Sequence, residues 1–301
     1  MSLRQYVAAS RLPFVSASIL PLVFIVFWSW NYSSEFSWVA AVLAFFGVLF
    51  LHLGANTVND YFDWDGTDAV NRHATPLSGG SRKAVEKFFG KKTFLVLTLL
   101  FFFTAVVLGI ILFFLQRKLV LLFGLAGGLC GVLYSVRPFS FQERGLGELL
   151  IFLAFGPLLT CGAGYAVTGT IGWDVVLLGV PNGAIVTNIL LINEFPDYEA
   201  DSTTSKKNLV VRLGLKASRL IYISLYFIFF LSIGLLYLYD LLSVWNFLVF
   251  GLVPLAFHSI SLLWKRYSKP QAVLPAQVGT VIFQIVAMAI MIFIQIFQKT
   301  V

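Results

Sequence analysis

The sequence predicts an all-α membrane protein with nine transmembrane helices. Of its 301 residues, 59% are hydrophobic and only 12% are charged, which leaves too little polar surface for a soluble domain of this length. The apolar residues gather into runs about as long as the roughly 17–25 residues that cross a bilayer. The charged residues lie between these runs and fall mostly on one predicted side of the membrane.

The apolar runs define nine candidate spans. Their expected bounds are 13–30, 37–58, 93–115, 119–136, 147–168, 174–193, 218–239, 243–263 and 275–297. No small-residue cleavage site follows the first run, so we expect it to remain as a helix and not to be removed as a signal peptide. Nine spans put the two termini on opposite sides of the membrane.

The distribution of lysine and arginine predicts the orientation. With the N-terminus in the cytoplasm, the inner segments hold 18 of the 21 basic residues, as the positive-inside rule requires. Eleven of the 14 acidic residues fall on the same side, which orientation alone does not require. We therefore expect an integral protein of the cytoplasmic membrane, surrounded by membrane lipid and without a nucleic-acid partner, whose active site faces the cytoplasm.

A first polar cluster lies at the end of the second span. Its members are Asn56, Asn59, Asp60, Asp63, Asp65 and Asp68. The first four recur at i, i+3, i+4 and i+7, so they share one face of a helix. His52 lies one turn earlier on this face, and we interpret it as a packed helix residue. Acidic side chains at membrane depth are costly and usually mark a functional cavity.

A second polar cluster lies at the end of the sixth span, on the same predicted side. Asn193, Asp197 and Asp201 recur at i, i+4 and i+8, and Pro196 should kink or break the helix between them. The central aspartates of the two clusters are 134 residues apart. This spacing suits two pseudo-repeated four-helix units and one extra helix in a single domain of residues 1–301.

Two aspartate clusters that face each other suit a divalent metal. Mg²⁺ prefers hard oxygen ligands and commonly bridges carboxylates to substrate phosphates. Basic residues near both clusters would pair with the phosphate oxygens that the metal leaves free. We expect Arg72, Arg82, Lys83 and Lys206 in this role. A lone aspartate at a helix end is usually a cap or a solvated charge, but two such clusters on one side favour a site.

These motifs resemble the UbiA superfamily of membrane prenyltransferases. Its two aspartate-rich motifs are similar to the Asn-Asp-x-x-Asp core of the first cluster and to the Asp-x-x-x-Asp pattern of the other cluster. Segments 134–157 and 193–214 are similar to the 1,4-dihydroxy-2-naphthoate polyprenyltransferase branch. Four residues separate Asp63 from Asp68, whereas the superfamily commonly has three and this branch usually five.

The resemblance implies a nine-helix fold around a central cavity that is open to lipid. It also implies transfer of an isoprenyl chain from a polyprenyl diphosphate, for example geranylgeranyl diphosphate, to an aromatic acceptor in quinone biosynthesis. Menaquinone biosynthesis, with 1,4-dihydroxy-2-naphthoate as acceptor, is favoured, and Mg²⁺ is the implied cofactor.

The resemblance also assigns roles to residues. Those implied to hold Mg²⁺ against the diphosphate are Asn59, Asp63, Asp68, Asp197 and Asp201. Cleavage of the C1–O bond would leave an allylic cation, which an apolar wall must shield from water. Tyr134 is the implied aromatic face that stabilises this cation. Supporting roles, which the sequence does not specify further, are expected for Asn56, Asp60, Asp65 and Asn193.

Three alternatives stay open. The acceptor could be a hydroxyl of a glycerol phosphate lipid, as in digeranylgeranylglyceryl phosphate synthases. A CDP-alcohol phosphotransferase would also use membrane aspartates, but the arginine of its signature is missing after Asp65-Gly66. A cation-coupled transporter would carry Asn and Asp near the middle of broken helices, whereas these clusters adjoin long basic loops.

Overall fold

The computed structural model describes residues 12–73, 75–78, 80–82 and 86–298. Of the predicted site residues, Lys83 lies outside the described residues. All regular secondary structure in the described ranges is helical.

Nine helical segments of 16 residues or more follow one another in these ranges. They are α1 (Leu12–Tyr32), α2 (Trp38–Asp63), α3 (Lys91–Phe114), α4 (Val120–Ser135), α5 (Gly147–Thr168), α6 (Trp173–Thr203), α7 (Leu209–Leu238), α8 (Val244–Arg266) and α9 (Pro270–Phe297). Eight are long and apolar enough to cross a membrane, and α4, with 16 residues, is shorter. The prediction of an all-α membrane protein is confirmed, and the count of nine spans is reached only if α4 is included.

The helix α6 is the central element of the fold. Its apolar stretch is 78% buried, more than that of any other candidate span in the described chain. The helix Val180–Thr203 runs without interruption through Pro196, so the prediction that this proline breaks the helix is wrong. Neighbouring helices can satisfy the backbone groups that a proline frees in a buried helix. Asp197 and Asp201 therefore lie on the helix, which ends at Thr203 and not at residue 193, the predicted end of the sixth span.

The helix α2 also extends beyond its predicted span. The apolar run ends near residue 58, but the helix continues to Asp63, so Asn59, Asp60 and Asp63 project from regular helix. Hydropathy locates the edge of the apolar segment, whereas the backbone hydrogen bonds of a helix can continue past that edge into polar sequence. The carboxylates consequently have the fixed directions of helical side chains.

A bend in α5 brings its backbone against α6. A π-helical turn at Ala154–Leu158 interrupts the α-helix, and such turns leave backbone groups to be satisfied from outside. Asn182 of α6 donates a hydrogen bond to the carbonyl oxygen of Phe155 at 2.7 Å. Gly156 permits the close approach, because a Cβ there would lie 2.8 Å from the carbonyl oxygen of Gly179.

The helices α7 and α9 form a densely packed side of the protein. Phe283 makes edge-to-face contacts with Tyr226 and Phe229, with ring centroids 5.0 and 5.1 Å apart. The hydroxyl groups of Tyr222 and Thr280 are 2.6 Å apart in this buried layer. Since aromatic packing and satisfied hydroxyl groups fill this side, the space for a ligand lies elsewhere, among α1 to α6.

Candidate active site

A cavity of about 1200 Å³ lies among α1 to α6. Much of its wall consists of glycine and apolar side chains of α2, α3, α4 and α5. Most of the polar and charged side chains converge where α2 and α6 end. They are Asn56, Asn59, Asp63, Asp68, Asn71, Tyr134, Gln142, Asn193, Glu194, Asp197, Asp201 and Lys206. The lining also includes Ser18, His52, Thr75 and Ser78. The cavity thus joins one charged end to a long apolar chamber, a shape suited to an amphiphile with an anionic head.

Neutral amide groups hold the carboxylate of Asp63. Asn59, one turn earlier on α2, donates to Asp63 Oδ2 at 3.2 Å. Gln142 donates to Asp63 Oδ1 at 3.1 Å, and Asn59 also donates to Ser135 Oγ at 3.0 Å. Both carboxylate oxygens are therefore oriented by donors that carry no charge, so the negative charge of Asp63 remains available to a cation.

Two other aspartates of the first cluster, Asp60 and Asp65, turn away from the cavity. Asp60 is 1% exposed and accepts a hydrogen bond from the hydroxyl of Ser81 at 2.7 Å, which ties α2 to the loop that follows it. Asp65 is on the surface, where its Oδ2 lies 2.6 Å from Lys91 Nζ. Neither residue lines the cavity, so the structure separates both of them from the cavity-lining aspartates of the first cluster.

Asp68 reaches the cavity from the short helix Thr67–Val70. Its side chain is buried and lies directly against the backbone of Gly80, where a Cβ would collide with Oδ2. Gly80 also has φ +69°, a left-handed conformation that glycine adopts without penalty. Glycine is thus required at residue 80 both by its backbone conformation and by the position of Asp68.

The aspartates of the second cluster are held in the same way as Asp63. Asn71 donates to Asp197 Oδ1 at 2.7 Å, and Asn208 donates to Asp201 Oδ2 at 2.7 Å. Asp201 Oδ1 is buried and accepts no hydrogen bond from the residues that the structure describes. It therefore has the free acceptor capacity that a bound cation would use.

Lys206 connects the two clusters. Its Nζ lies 3.6 Å from Asp63 Oδ2 and 3.9 Å from Asp201 Oδ1, and its side chain is 16% exposed. Burial lowers the pKa of Lys206, but Asp201, Asp63 and other nearby groups together outweigh burial and raise the pKa well above its ordinary value. The ammonium group is consequently charged at any physiological pH and stands between the carboxylates.

The other predicted phosphate contacts lie outside the cavity or outside the described residues. Arg72 is exposed and does not line the cavity. Arg82 donates to the carbonyl oxygen of Trp64 and pairs with Glu86 at 3.0 Å. Lys83 is among the residues that the structure does not describe. Of the four predicted cations, the geometry therefore brings Lys206 to the carboxylates.

The remaining predicted residues line the wall above the charged end. Asn56 carries a buried Nδ2 that has no hydrogen-bond acceptor among the described residues. Asn193 accepts from Gln277 of α9 at 2.8 Å. Tyr134 lies against Gly147, where a Cβ would be 3.0 Å from its ring, so the glycine makes room for the aromatic side chain. All three of these polar residues border the cavity.

Of the amides that orient the aspartates, the sequence pattern identified Asn59 but not Gln142, Asn71 or Asn208. These three come from the segments between the long helices, Gln142 from the short 3₁₀ helix Phe141–Glu143, and no helical periodicity connects them to α2 or α6. Glu194 was also missed, although it precedes Asp197 by three residues and so shares its helical face. That spacing was the available signal for Glu194, whereas the loop amides become visible only in three dimensions.

The donor set fits Mg²⁺ that is shared with a ligand. Among the described residues, no three acidic or imidazole side chains are grouped closely enough to hold a metal ion by themselves. Mg²⁺ usually takes one or two protein carboxylates and completes its shell with water and substrate phosphates. Oriented carboxylates and the orphaned Asp201 Oδ1 therefore suit a metal that arrives with a phosphate.

The pattern of the UbiA prenyltransferase family matches residues 18–286, which is most of the chain. The chain belongs to this family. The resemblance that its aspartate motifs indicated is thus confirmed, and the all-helical fold around the cavity is the fold of a UbiA protein.

The curated UbiA relatives point to the naphthoate branch. The chain is 29% identical over 196 residues to a 1,4-dihydroxy-2-naphthoate octaprenyltransferase from Mycobacterium leprae, and this match covers 64% of each chain. It is 29% identical over 219 residues to a 2-carboxy-1,4-naphthoquinone phytyltransferase from Synechocystis, covering 71% of this chain and 67% of the relative. A 1,4-dihydroxy-2-naphthoate octaprenyltransferase from Escherichia coli is 26% identical over 81% of this chain and 79% of its own.

Solved structures of UbiA homologues share the fold. An apo structure from Aeropyrum pernix K1 has a TM-score of 0.73 at 14% identity, covering 96% of this chain and 99% of that one. A homologue from Archaeoglobus fulgidus, bound to DMAPP and Mg²⁺, has a TM-score of 0.64 at 16% identity, covering 95% and 99%. At these identities the likeness establishes the membrane-protein fold alone.

Proposed function

We propose that this protein transfers an isoprenyl chain from a polyprenyl diphosphate to an aromatic acceptor, with 1,4-dihydroxy-2-naphthoate favoured. One observation carries the proposal: the cavity-lining aspartates of both motifs and Lys206 meet at one end of an apolar chamber. The names of the curated relatives support the acceptor class. The family supports the reaction class.

The charged end of the cavity is the proposed diphosphate site. The residues assigned to hold Mg²⁺ and the diphosphate there are Asn59, Asp63, Asp68, Asp197 and Asp201. When bound, Mg²⁺ would neutralise the negative charge that develops on the departing diphosphate. Lys206 contributes a fixed positive charge to the same oxygens. Such preorganised charge is effective because it needs no reorganisation during the reaction.

The apolar chamber is the proposed site of the isoprenyl chain. Cleavage of the C1–O bond sends the electron pair to the diphosphate and leaves an allylic cation at C1. The walls of α3, α4 and α5 exclude water from this cation. Tyr134, at the border between the apolar and the charged regions, is the aromatic face assigned to stabilise it. A lateral opening to lipid would admit the long chain.

The lining of the cavity favours an aromatic acceptor over a glycerol phosphate lipid. A phosphorylated acceptor would need a second group of basic residues beside the diphosphate site. Among the lining residues that the structure describes, Lys206 is the only lysine or arginine, and it already lies between Asp63 and Asp201. The aspartates lie at the ends of α2 and α6 and not at mid-span, which also disfavours a cation-coupled transporter.

The proposed orientation puts the N-terminus and the diphosphate site on the cytoplasmic side. Its support is the concentration of basic residues on that side of the chain. A water-soluble diphosphate head group made in the cytoplasm would reach this end of the cavity directly.

The purified protein in lipid nanodiscs can be supplied with labelled geranylgeranyl diphosphate, Mg²⁺ and one acceptor at a time. We expect prenylated product with 1,4-dihydroxy-2-naphthoate, and none after Mg²⁺ is removed with EDTA. A glycerol phosphate lipid serves as the competing acceptor. Prenylation of that lipid alone would contradict the aromatic acceptor, and the absence of transfer to either would contradict the reaction.

A further inference from the structure

Glu148 and Glu194 form a buried carboxyl pair that the diphosphate chemistry does not use. Glu148 lies in the first turn of α5 and Glu194 in α6, and the two are 5% and 6% exposed. The carboxyl group of Glu148 lies close enough to act electrostatically on that of Glu194.

The rest of the described structure leaves this pair incompletely satisfied. Glu148 Oε1 accepts the backbone N–H of Leu209 at 2.9 Å, which fixes its position. The Oε2 atoms of Glu148 and Glu194 are buried, and no other described residue donates a hydrogen bond to them. Burial of an acceptor without a donor is costly. A hydroxyl group of a ligand would provide the missing donor.

Glu194 lines the cavity at a defined level along α6. It precedes Asp197 by three residues and Asp201 by seven, so it lies on the same face of α6, one to two turns of about 5.4 Å further from the charged end. It lines the cavity, whereas Glu148 does not. The charged and titratable groups that act on Glu194 are Glu148, Asp201, Lys206 and Tyr134.

An acceptor must meet the reacting carbon, C1, at this level of the cavity. The diphosphate occupies the level of the aspartates, and the isoprenyl chain extends into the apolar chamber, so C1 lies between the two levels. We propose that the Glu148–Glu194 pair is the proton acceptor for a hydroxylated aromatic substrate, with Glu194 as the member that contacts it. This inference rests on the proposed function and adds the group that receives the proton.

The proposed reaction begins when the acceptor hydroxyl gives its proton to a carboxylate oxygen of the pair, and the ring becomes an aryloxide. A ring carbon forms a bond to C1 as the C1–O bond breaks, and the electron pair of that bond leaves with the diphosphate. The attacked carbon then loses its hydrogen as a proton, which returns to the ring oxygen. One proton per turnover stays on the pair until water removes it.

The test is the Glu194→Gln variant, because a carboxamide keeps the size and can donate to Glu148 but cannot take a proton. We expect kcat to fall by about 100-fold to 10,000-fold, the range of general base catalysis. The dissociation constant of geranylgeranyl thiolodiphosphate should change by less than about threefold, since the diphosphate site is intact. Glu199→Gln is the matched control, because Glu199 is 71% exposed on the same helix and lies outside the cavity lining.

A series of aromatic acceptors with falling hydroxyl pKa separates proton transfer from a structural role. The Glu194→Gln variant should recover activity as the acceptor ionises more readily, whereas the wild-type enzyme should vary little. Glu148→Gln should show the same trend, and it replaces Glu194→Gln as the test variant if Glu194→Gln does not fold. An equal loss for every acceptor, or full activity of Glu194→Gln, would overturn the role of the pair. Failure of the wild-type enzyme to prenylate any aromatic acceptor would overturn the proposed function instead.

Discussion

The two aspartate clusters are held by different parts of the chain. Asp197 and Asp201 both project from one continuous helix and both line the cavity. In the first cluster only Asp63 does so from helix α2, because Asp60 turns to the following loop and Asp68 belongs to a separate short helix. The aspartates of the first cluster are close together in sequence but thus point in different directions. Those of the second cluster share a single helical face.

The chemical nature of the partners distinguishes the two kinds of aspartate. The cavity carboxylates of Asp63, Asp197 and Asp201 receive hydrogen bonds from neutral amides. The ammonium group of Lys206 stays beyond hydrogen-bond distance, 3.6 Å from Asp63 and 3.9 Å from Asp201, whereas that of Lys91 lies 2.6 Å from the oxygen of Asp65. Amide donors orient a carboxylate without cancelling its charge, and the closer ammonium group offsets the charge of its carboxylate more strongly. The chemistry and distance of the partners, more than motif position, therefore indicate which carboxylates are available to a cation.

The largest effect should come from replacing the cavity carboxylate of Asp63, with the same replacement at Asp65 for comparison. Asp63→Asn removes a charge from the cavity and should lower kcat/KM for prenyl transfer by about 100-fold or more, since several kcal/mol of charge stabilisation depend on such groups. Asp65→Asn, with the same chemical change at an exposed position, should stay within about twofold, as surface ion pairs contribute little. Equal losses in both variants would mean that the position of Asp63 in the cavity is not what matters.

An intermediate effect should come from the amide that orients Asp201. Asn208 donates to Asp201 and also caps α7, because its Oδ1 accepts the N–H of Val211 at 2.9 Å. Asn208→Ser keeps a capping oxygen but loses the longer amide group whose Nδ2 donates to Asp201, and should weaken the apparent affinity for Mg²⁺ by about 10- to 100-fold, as for other partners that orient metal ligands. Metal titrations of transfer activity measure this.

Asn208→Ala is the matched variant, since it loses both the donor and the cap. It should show the same metal defect and an additional loss of about 1 kcal/mol in stability, which thermal unfolding would report. If Asn208→Ser retained normal metal affinity, orientation by neutral amides would not be the feature that separates the two kinds of aspartate.

The sequence predicts the helices and the meeting of the two clusters, because hydropathy and helical spacing are local properties. It also predicts that Lys206 lies near them, since the residue follows Asp201 closely. Hydropathy ends α2 and α6 too early, because polar side chains end an apolar run without ending the helix. Asn71 and Gln142 could not be assigned, since their contacts join segments that are distant along the chain.

The smallest effect concerns the loop that supports Asp68. A Cβ at residue 80 must displace the Asp68 carboxylate, and φ +69° adds backbone strain of about 1–2 kcal/mol for a residue other than glycine. Gly80→Ala should therefore raise KM for the polyprenyl diphosphate by about tenfold, a free-energy change of the same size. The control is Gly90→Ala, because a Cβ at Gly90 would meet no atom within 4 Å and its φ of −91° suits alanine. The Gly90 variant should keep its KM, and an unchanged KM in Gly80→Ala as well would mean that Asp68, unlike Asp63, does not act on the diphosphate.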